Sequence, residues 1–212
     1  EIRLSLVGSE MCIRDRFHIS PNVKEREYLT EDELKAVMTH EFADSKLAYI
    51  RDIFIFASFT ALSFVDIQEL TNDNIVEVNG EKWILSKRHK TKVAFQVKLL
   101  DIPLQIVERY RPMQKDNRIF PGLNYWSICK PLKRMIRECG ITKSISFHCS
   151  RHGFATLALS KGMPIESVSR VLGHTNIVTT QLYAKITTQK LDNDLTMFGD
   201  KLSKTFNGIT MS

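Results

Sequence analysis

Hydrophobic and polar positions recur at helical spacing along most of the chain. A Thr-Glu-Asp-Glu capping pattern at residues 30–33 precedes apolar residues three to four positions apart, which predicts a helix to about residue 40. The strongly apolar run of residues 45–60 predicts a second helix that is buried on most sides. The same periodicity predicts helices over further segments: 64–70, 103–110, 124–139, 147–161, 164–172, 175–185 and 188–202.

One region, residues 72–100, instead has the two-residue period of β-strands. Asn79-Gly80 favours a tight hairpin between 75–78 and 82–86, and residues 93–97 alternate as a third strand. The prediction is therefore a mainly α fold with a small antiparallel β-sheet, in the α+β class. The turn between the second and third strands is basic, and it could be a solvated tip or a finger that enters a DNA groove. Its side chains are Lys87, Arg88, His89, Lys90 and Lys92.

Composition narrows the class of protein and of partner. The chain has 212 residues, of which 43% are hydrophobic, so one globular domain with a packed core is expected. The net charge of +6 favours an anionic partner, with nucleic acid first and a membrane surface second. No apolar run is long enough to span a membrane, and neither a secretory signal nor a Cys-x-x-Cys pair is present. These features predict a cytoplasmic protein with reduced, buried thiols rather than a disulfide scaffold or a zinc ribbon.

The chain divides into four segments by pattern. Residues 1–16 have neither helical nor strand periodicity and look like translated sequencing-adaptor read-through, so we interpret them as non-native or disordered; a genuine irregular arm is the alternative. Residues 17–27 are predicted to be a linker, residues 28–186 the main domain, and residues 187–212 a C-terminal helix and tail.

Several groups that suit phosphate chemistry lie between residues 146 and 183. His148, Arg151 and His152 form one cluster, His174 follows in Leu-Gly-His, and Tyr183 comes nine residues later. An arginine fork matches two phosphate oxygens, and a phenol can attack phosphorus when cations and a base activate it. Taken singly, each residue has a structural alternative, such as a surface salt bridge for the arginine or a core position for the tyrosine.

Together, these motifs in this order resemble the tyrosine recombinases, the integrases of phages and conjugative elements. The Tyr-Ala-Lys-Ile-Thr run that starts at Tyr183 resembles integrases of Bacteroides-type mobile elements. The resemblance implies a tyrosine recombinase catalytic domain over residues 28–186 and site-specific DNA recombination or integration through a 3′-phosphotyrosyl intermediate. It also implies double-stranded DNA as partner, a tetramer on DNA, and neither a cofactor nor a small-molecule substrate. Residues 187–212 would dock on a neighbouring protomer or pack on their own domain.

The resemblance also implies a role for each motif residue. Tyr183 would be the nucleophile, Arg151 and His174 would hold phosphate oxygens, and Lys90 would protonate the departing 5′ oxygen. His148 would take the proton of the phenol or donate to the phosphate.

The remaining basic residues would have secondary roles. His152 is expected to be a supporting, buried and hydrogen-bonded imidazole. Lys87, Arg88 and Lys92 would contact DNA.

One position departs from the family pattern. The family has a second arginine in a Thr-Gly-Leu-Arg stretch, and the matching run here is Thr-Ala-Leu-Ser, with Ser63 at the arginine position. Loss of a charge-assisted donor there costs on the order of 3 kcal/mol of transition-state stabilisation, roughly 100-fold in rate. Another cation, for which Arg88 is the candidate, could compensate.

Two alternatives to an active recombinase stay open. Ser63 motivates a catalytically weak or inactive DNA-binding fragment of such an enzyme. His148 and His152, four residues apart with Cys149 between them, motivate a zinc-dependent enzyme, which would need a third ligand.

Overall fold

The computed structural model describes residues 27–90, 92–114, 116–184 and 188–205. The interpretation of residues 1–16, and of the linker up to residue 26, lies outside the described residues. The helices are α1 (Glu31–Thr39), α2 (Ser45–Thr60), α3 (Phe64–Gln68), α4 (Asp101–Tyr110), α5 (Tyr125–Glu138), α6 (Cys149–Ser160), α7 (Ile165–Leu172), α8 (Val178–Gln181) and α9 (Thr188–Thr205). The strands are β1 (Ile75–Val78), β2 (Glu81–Lys87) and β3 (Ala94–Lys98). The predicted mainly α fold with a small antiparallel sheet is confirmed.

Helix α2 is the centre of the core. Asp44 caps its first turn by accepting from the backbone N–H of Lys46 at 2.9 Å, and apolar residues on every side of the helix, such as Phe54 and Phe56, are buried. Helices α1, α4, α5 and α6 pack around it. This arrangement explains why the run lacks an amphipathic pattern. None of the described helices combines the length and apolarity that crossing a membrane requires.

The sheet follows the order β1-β2-β3 with antiparallel pairing throughout. Asn79 and Gly80 both have positive φ (54° and 78°), as a tight hairpin turn requires, so the predicted hairpin is confirmed. Ile84, on the central strand β2, pairs with one residue of β1 and one residue of β3, and it is fully buried. Side chains at even-numbered positions of β2 face the core. Arg88, the residue after the end of β2, has the same direction and is also buried.

The end of α2 has an unusual backbone conformation. Ala61 caps the helix with φ 57°, in the left-handed region that disfavours residues with a Cβ, and it is fully buried. Its methyl group packs in a small second core with Ala155, Leu159 and Leu172 of helices α6 and α7. The left-handed conformation of Ala61 therefore brings the end of α2 against α6 and α7, where the motif residues lie.

The segment before Tyr183 is less helical than predicted. The expected helix over residues 175–185 is wrong in extent: among the described residues 175–184 only Val178–Gln181 is α-helical, and Tyr183 lies in the turn that follows. The run from Thr175 to Thr180 is rich in β-branched residues, which lose rotamer freedom in a helix. Asn176 also uses its side chain to accept from the N–H of Val178 at 2.9 Å, so the helix starts late.

Candidate active site

Arg151 is fixed at the junction of the two small-core helices. Its guanidinium donates to the carbonyl oxygen of Ala61 at 2.9 Å and to that of Leu172, the last residue of α7. The side chain is about nine-tenths buried. Burial and the nearby charge of Arg88 lower the pKa of Arg151 to about 10, and Tyr183 and Asp66 oppose this shift. Arg151 is therefore still a cation at neutral pH.

Arg88 is buried rather than exposed with the other cations of its turn. Its Nη1 pairs with Asp66 at 2.7 Å, its Nη2 donates to the carbonyl oxygen of Val171 at 2.5 Å, and its guanidinium lies over the Phe95 ring at 4.1 Å. Its buried Nε has no hydrogen-bond partner among the described residues. Burial lowers the pKa of Arg88, while the ion pair with Asp66 opposes the shift.

The two arginines therefore hold consecutive carbonyl groups at the end of α7. The last carbonyls of a helix have no partner within the helix and carry partial negative charge. Val171 and Leu172 supply these acceptors, one to each guanidinium. The helix end thus offsets part of the repulsion between two neighbouring cations.

Ser63 and Asp66 form a second support for Arg88. Ser63 caps α3 and donates from its hydroxyl to Asp66 at 2.8 Å, and the backbone N–H of His89 donates to the same carboxylate at 3.0 Å. Burial raises the pKa of Asp66, but the bonds from His89, Arg88 and Ser63 outweigh it, so the pKa lies below its usual value. Asp66 is accordingly an anion that anchors the turn after β2.

Gly173 leaves room for Arg88. The glycine ends α7 with φ 63°, and a Cβ placed on it would lie 3.0 Å from Nε and 3.1 Å from Cγ of Arg88. The Leu-Gly-His motif therefore needs a glycine both for its backbone conformation and for the passage of this side chain.

His174 follows immediately and is half-buried. Its Nδ1 lies 2.8 Å from the hydroxyl of Thr180. Burial and the charges of Arg151, Arg88 and His148 lower the pKa of His174 to about 4. The imidazole is thus neutral at neutral pH, and it can act as a hydrogen-bond donor without adding charge.

The low pKa of His174 predicts acid sensitivity. Between its ordinary pKa of 6.5 and about 4, the unfolded chain binds a proton that the folded chain does not. The free energy of unfolding should therefore fall as the pH drops through this window, and replacing His174 with glutamine should make that fall smaller. Urea unfolding at about pH 7 and about pH 5 measures it, and equal losses for the two chains would contradict the prediction.

Tyr183 is held by His152. The phenol oxygen lies 2.6 Å from Nδ1 of His152, which is buried, and the tyrosine ring packs against the small core around Ala61. His148 precedes α6 as its N-cap residue and is exposed. Its ring lies 4.5 Å from that of His152, centroid to centroid, and nearly perpendicular to it. Arg151 and His152 therefore lie in the first turn of α6, directly after His148, and His152 contacts the phenol.

Lys90 and its lysine neighbours stay on the surface. Lys90 and Lys92 are exposed in the turn between β2 and β3, whereas Lys87, expected in the same turn, is exposed as the last residue of β2 and pairs with β3. His89 of the turn approaches Glu69, the residue that follows α3, at 3.2 Å. Together with the bond from His89 to Asp66, this contact fixes the base of the turn. The exposed lysine side chains therefore extend from a turn that the two contacts of His89 hold in place.

A zinc site at this position would compete with the phenol. His152 already engages the Tyr183 hydroxyl through Nδ1. Across the described ranges, no three His, Cys, Asp or Glu residues are grouped closely enough to hold a metal ion. No observation on these residues favours the zinc-dependent alternative.

From the sequence, Arg88 is expected to contact DNA and is the candidate cation for the Ser63 position, but its burial is not predicted, and Asp66 has no predicted role in the site. The alternation along β2 contained the signal for Arg88, because Ile84, Ser86 and Arg88 share the inward phase. Asp66 carried only a local signal, three residues after a serine, which indicates a helix cap.

Comparison with known proteins identifies relatives of this chain. The family model described as the phage integrase family matches residues 27–190. Tyrosine recombinase XerA of Pyrococcus horikoshii is 32% identical over 177 residues, covering 77% of this chain and 58% of the relative. Tyrosine recombinase XerD of Listeria monocytogenes is 38% identical over 86 residues, or 38% of this chain and 29% of the relative. The chain thus spans a little over half the length of XerA.

Solved structures share the fold. A crystal structure of XerA recombinase superposes with a TM-score of 0.65 at 20% identity, covering 84% of this chain and 66% of that one. The Tn1549 transposon integrase, solved in complex with a circular intermediate DNA, gives a TM-score of 0.69 at 16% identity, with coverage of 83% and 67%.

Proposed function

Because the chain belongs to the phage integrase family, the tyrosine recombinases, we propose that it cleaves and rejoins DNA strands in site-specific recombination or integration. The observation that supports this best is the Tyr183 hydroxyl, held 2.6 Å from His152 on the helix that carries the buried Arg151. A phenol, an imidazole and a fixed guanidinium are the groups that metal-independent phosphoryl transfer to tyrosine requires.

In the proposed reaction, the phenol oxygen of Tyr183 attacks a DNA phosphodiester. The bond between phosphorus and the tyrosine oxygen forms as the bond between phosphorus and the 5′ oxygen breaks, which leaves a 3′-phosphotyrosyl link and a free 5′ hydroxyl. The number of phosphoester bonds is unchanged, so rejoining by a 5′ hydroxyl needs no high-energy cofactor. Lys90 is proposed to protonate the departing 5′ oxygen.

Arg151 and Arg88 are the proposed cradle for the phosphate. Their guanidiniums are neighbours, since the charge of Arg88 lowers the pKa of Arg151, and the buried Nε of Arg88 has no partner among the described residues. The negative charge of a phosphate held by Arg151 would offset both positive charges. Arg88 would thus bring the positive charge that Ser63 lacks. His174 and His148 are proposed to donate to the remaining phosphate oxygens.

The proposed partner is double-stranded DNA in the cytoplasm, with several protomers on one DNA. Lys87 and Lys92 would contact the DNA backbone beside the supported turn. Helix α9 presents exposed apolar side chains at Leu195, Phe198 and Leu202. We propose that residues 28–186 are the catalytic domain and that residues 187–212 dock on a neighbouring protomer in a tetramer.

A covalent adduct tests the proposed function. The chain is mixed, in EDTA, with a pool of nicked DNA duplexes of randomised sequence, designed so that cleavage releases a short fragment and cannot be reversed. A band that survives denaturation and disappears after nuclease treatment is the expected result. Absence of any adduct across the pool would contradict the proposal.

The second candidate is DNA binding without cleavage. Ser63 favours it, because this residue is uncharged and is engaged as the cap of α3. A chain of that kind would shift DNA in a native gel, with affinity falling steeply as salt rises, and would give no adduct in the same reaction.

A further inference from the structure

We infer that His152, rather than His148, is the group that accepts the proton of Tyr183 during cleavage. The inference rests on the proposed function and assigns a catalytic residue within the same site. A general base must lie within hydrogen-bond reach of the proton it removes, about 2.6–3.2 Å between heavy atoms. The 2.6 Å between Nδ1 of His152 and the Tyr183 oxygen meets this requirement before DNA binds.

The proton transfer has a simple balance. With the His152 proton on Nε2, Nδ1 carries the lone pair and the phenol donates to it. As the bond from the tyrosine oxygen to phosphorus forms, the O–H bond breaks and its proton moves to Nδ1, which gives an imidazolium. When a 5′ hydroxyl displaces the tyrosine, the same proton returns to the phenol oxygen.

The surroundings of His152 explain why the transfer would wait for DNA. His152 is 3% exposed, and the charge of Arg151 lies on the same helix, with Arg88 and the ionisable His148 and His174 on neighbouring segments. A further positive charge in this buried setting is unfavourable. Asp66 is the anion that acts on Arg151 here, and it is already paired with Arg88.

An incoming phosphate changes that balance. Its negative charge would lie beside both arginines and make an imidazolium at His152 acceptable. The nucleophile would then be activated only when a phosphodiester is in place. His148, which is exposed beside His152, keeps its proposed role as a donor to the phosphate.

A pair of asparagine variants tests the inference. Asparagine can accept from the phenol as Nδ1 of histidine does, but it cannot take up the proton. His152→Asn should slow adduct formation on the selected nicked duplex by about 10²- to 10⁴-fold, the usual contribution of a general base. Its rate should keep rising with pH, and a fluorinated tyrosine of lower phenol pKa at position 183 should restore part of it. His148→Asn is the matched control and should show neither the pH dependence nor the rescue.

Three outcomes separate the possibilities. A His152→Asn chain that reacts at the unsubstituted rate would overturn the inference, as would rescue by fluorotyrosine in His148→Asn alone. If the unsubstituted chain gives no adduct, it is the proposed function that fails. The nitrogen chemical shifts of His152 in the DNA-free chain give a test independent of folding of the variants: an unprotonated Nδ1 is expected, and a protonated Nδ1 would overturn the assignment.

Discussion

Replacing Tyr183 with phenylalanine is expected to abolish the covalent protein–DNA adduct. The substitution removes only the oxygen that would bond to phosphorus, and the ring can still pack against the small core around Ala61. No other change of one atom should eliminate the reaction so completely, because the phosphotyrosyl link cannot form without this oxygen. Adduct yield on the nicked duplex after denaturation is the measurement.

The fold and DNA binding should survive this substitution. His152 loses its phenol partner, which costs on the order of 1–3 kcal/mol when the remaining group is buried. For a chain of this size the melting temperature should therefore fall by several degrees, since about 2–4 °C corresponds to 1 kcal/mol. Tyr125→Phe is the matched control, because Tyr125 is an exposed tyrosine on α5, and it should react normally. An adduct in Tyr183→Phe at the unsubstituted yield would mean that another residue is the nucleophile.

The second large effect is expected at Arg88. Arg88→Ala should reduce the rate of adduct formation by about 10²- to 10³-fold, the usual result of removing a charge-assisted donor from a transition state. The same change leaves Asp66 buried without its ion-pair partner, which costs about 3–5 kcal/mol of stability. Rates must therefore be compared below the melting temperature of the variant.

A double substitution tests whether the site needs a guanidinium specifically at residue 88 or only a positive charge beside Asp66. Adding Ser63→Arg to Arg88→Ala places a guanidinium on the residue whose hydroxyl now lies 2.8 Å from Asp66, so the ion pair can form again. We expect at least a tenfold recovery of rate and a recovery of thermal stability, even though the cap of α3 is lost at a cost of about 1 kcal/mol. Lys87→Ala, an exposed neighbour, should mainly reduce the salt dependence of binding. Arg88→Ala with an unchanged rate would show that the site works with Arg151 as its arginine.

Local signals explain which elements could be predicted from the sequence. The bounds of α2 follow from an uninterrupted apolar run, and the hairpin follows from Asn79-Gly80, whose positive φ angles few other residue pairs accept. The segment before Tyr183 was harder, because its β-branched residues and the cap at Asn176 act against the helical pattern.

The site depends on contacts between residues that are distant in sequence. Arg88 meets the carbonyl of Val171 across 83 positions, and His152 meets Tyr183 across 31. Motif spacing places such residues in one region, but it does not say which of them touch. The choice of His152 over His148 as partner of the phenol does not follow from motif spacing, and the burial of Arg88 is indicated by the strand alternation rather than by its place in the basic run.

The paired carbonyls at the end of α7 also bear on the entropy of DNA binding. A free arginine side chain carries roughly 2 kcal/mol of rotamer entropy, which a binding site must remove before it can hold a phosphate. Here the carbonyls of Val171 and Leu172 restrict both guanidiniums while the protein folds, so DNA would meet cations that are already ordered. Any substitution that frays the last turn of α7 should therefore weaken DNA affinity through added disorder, even if every charge is kept.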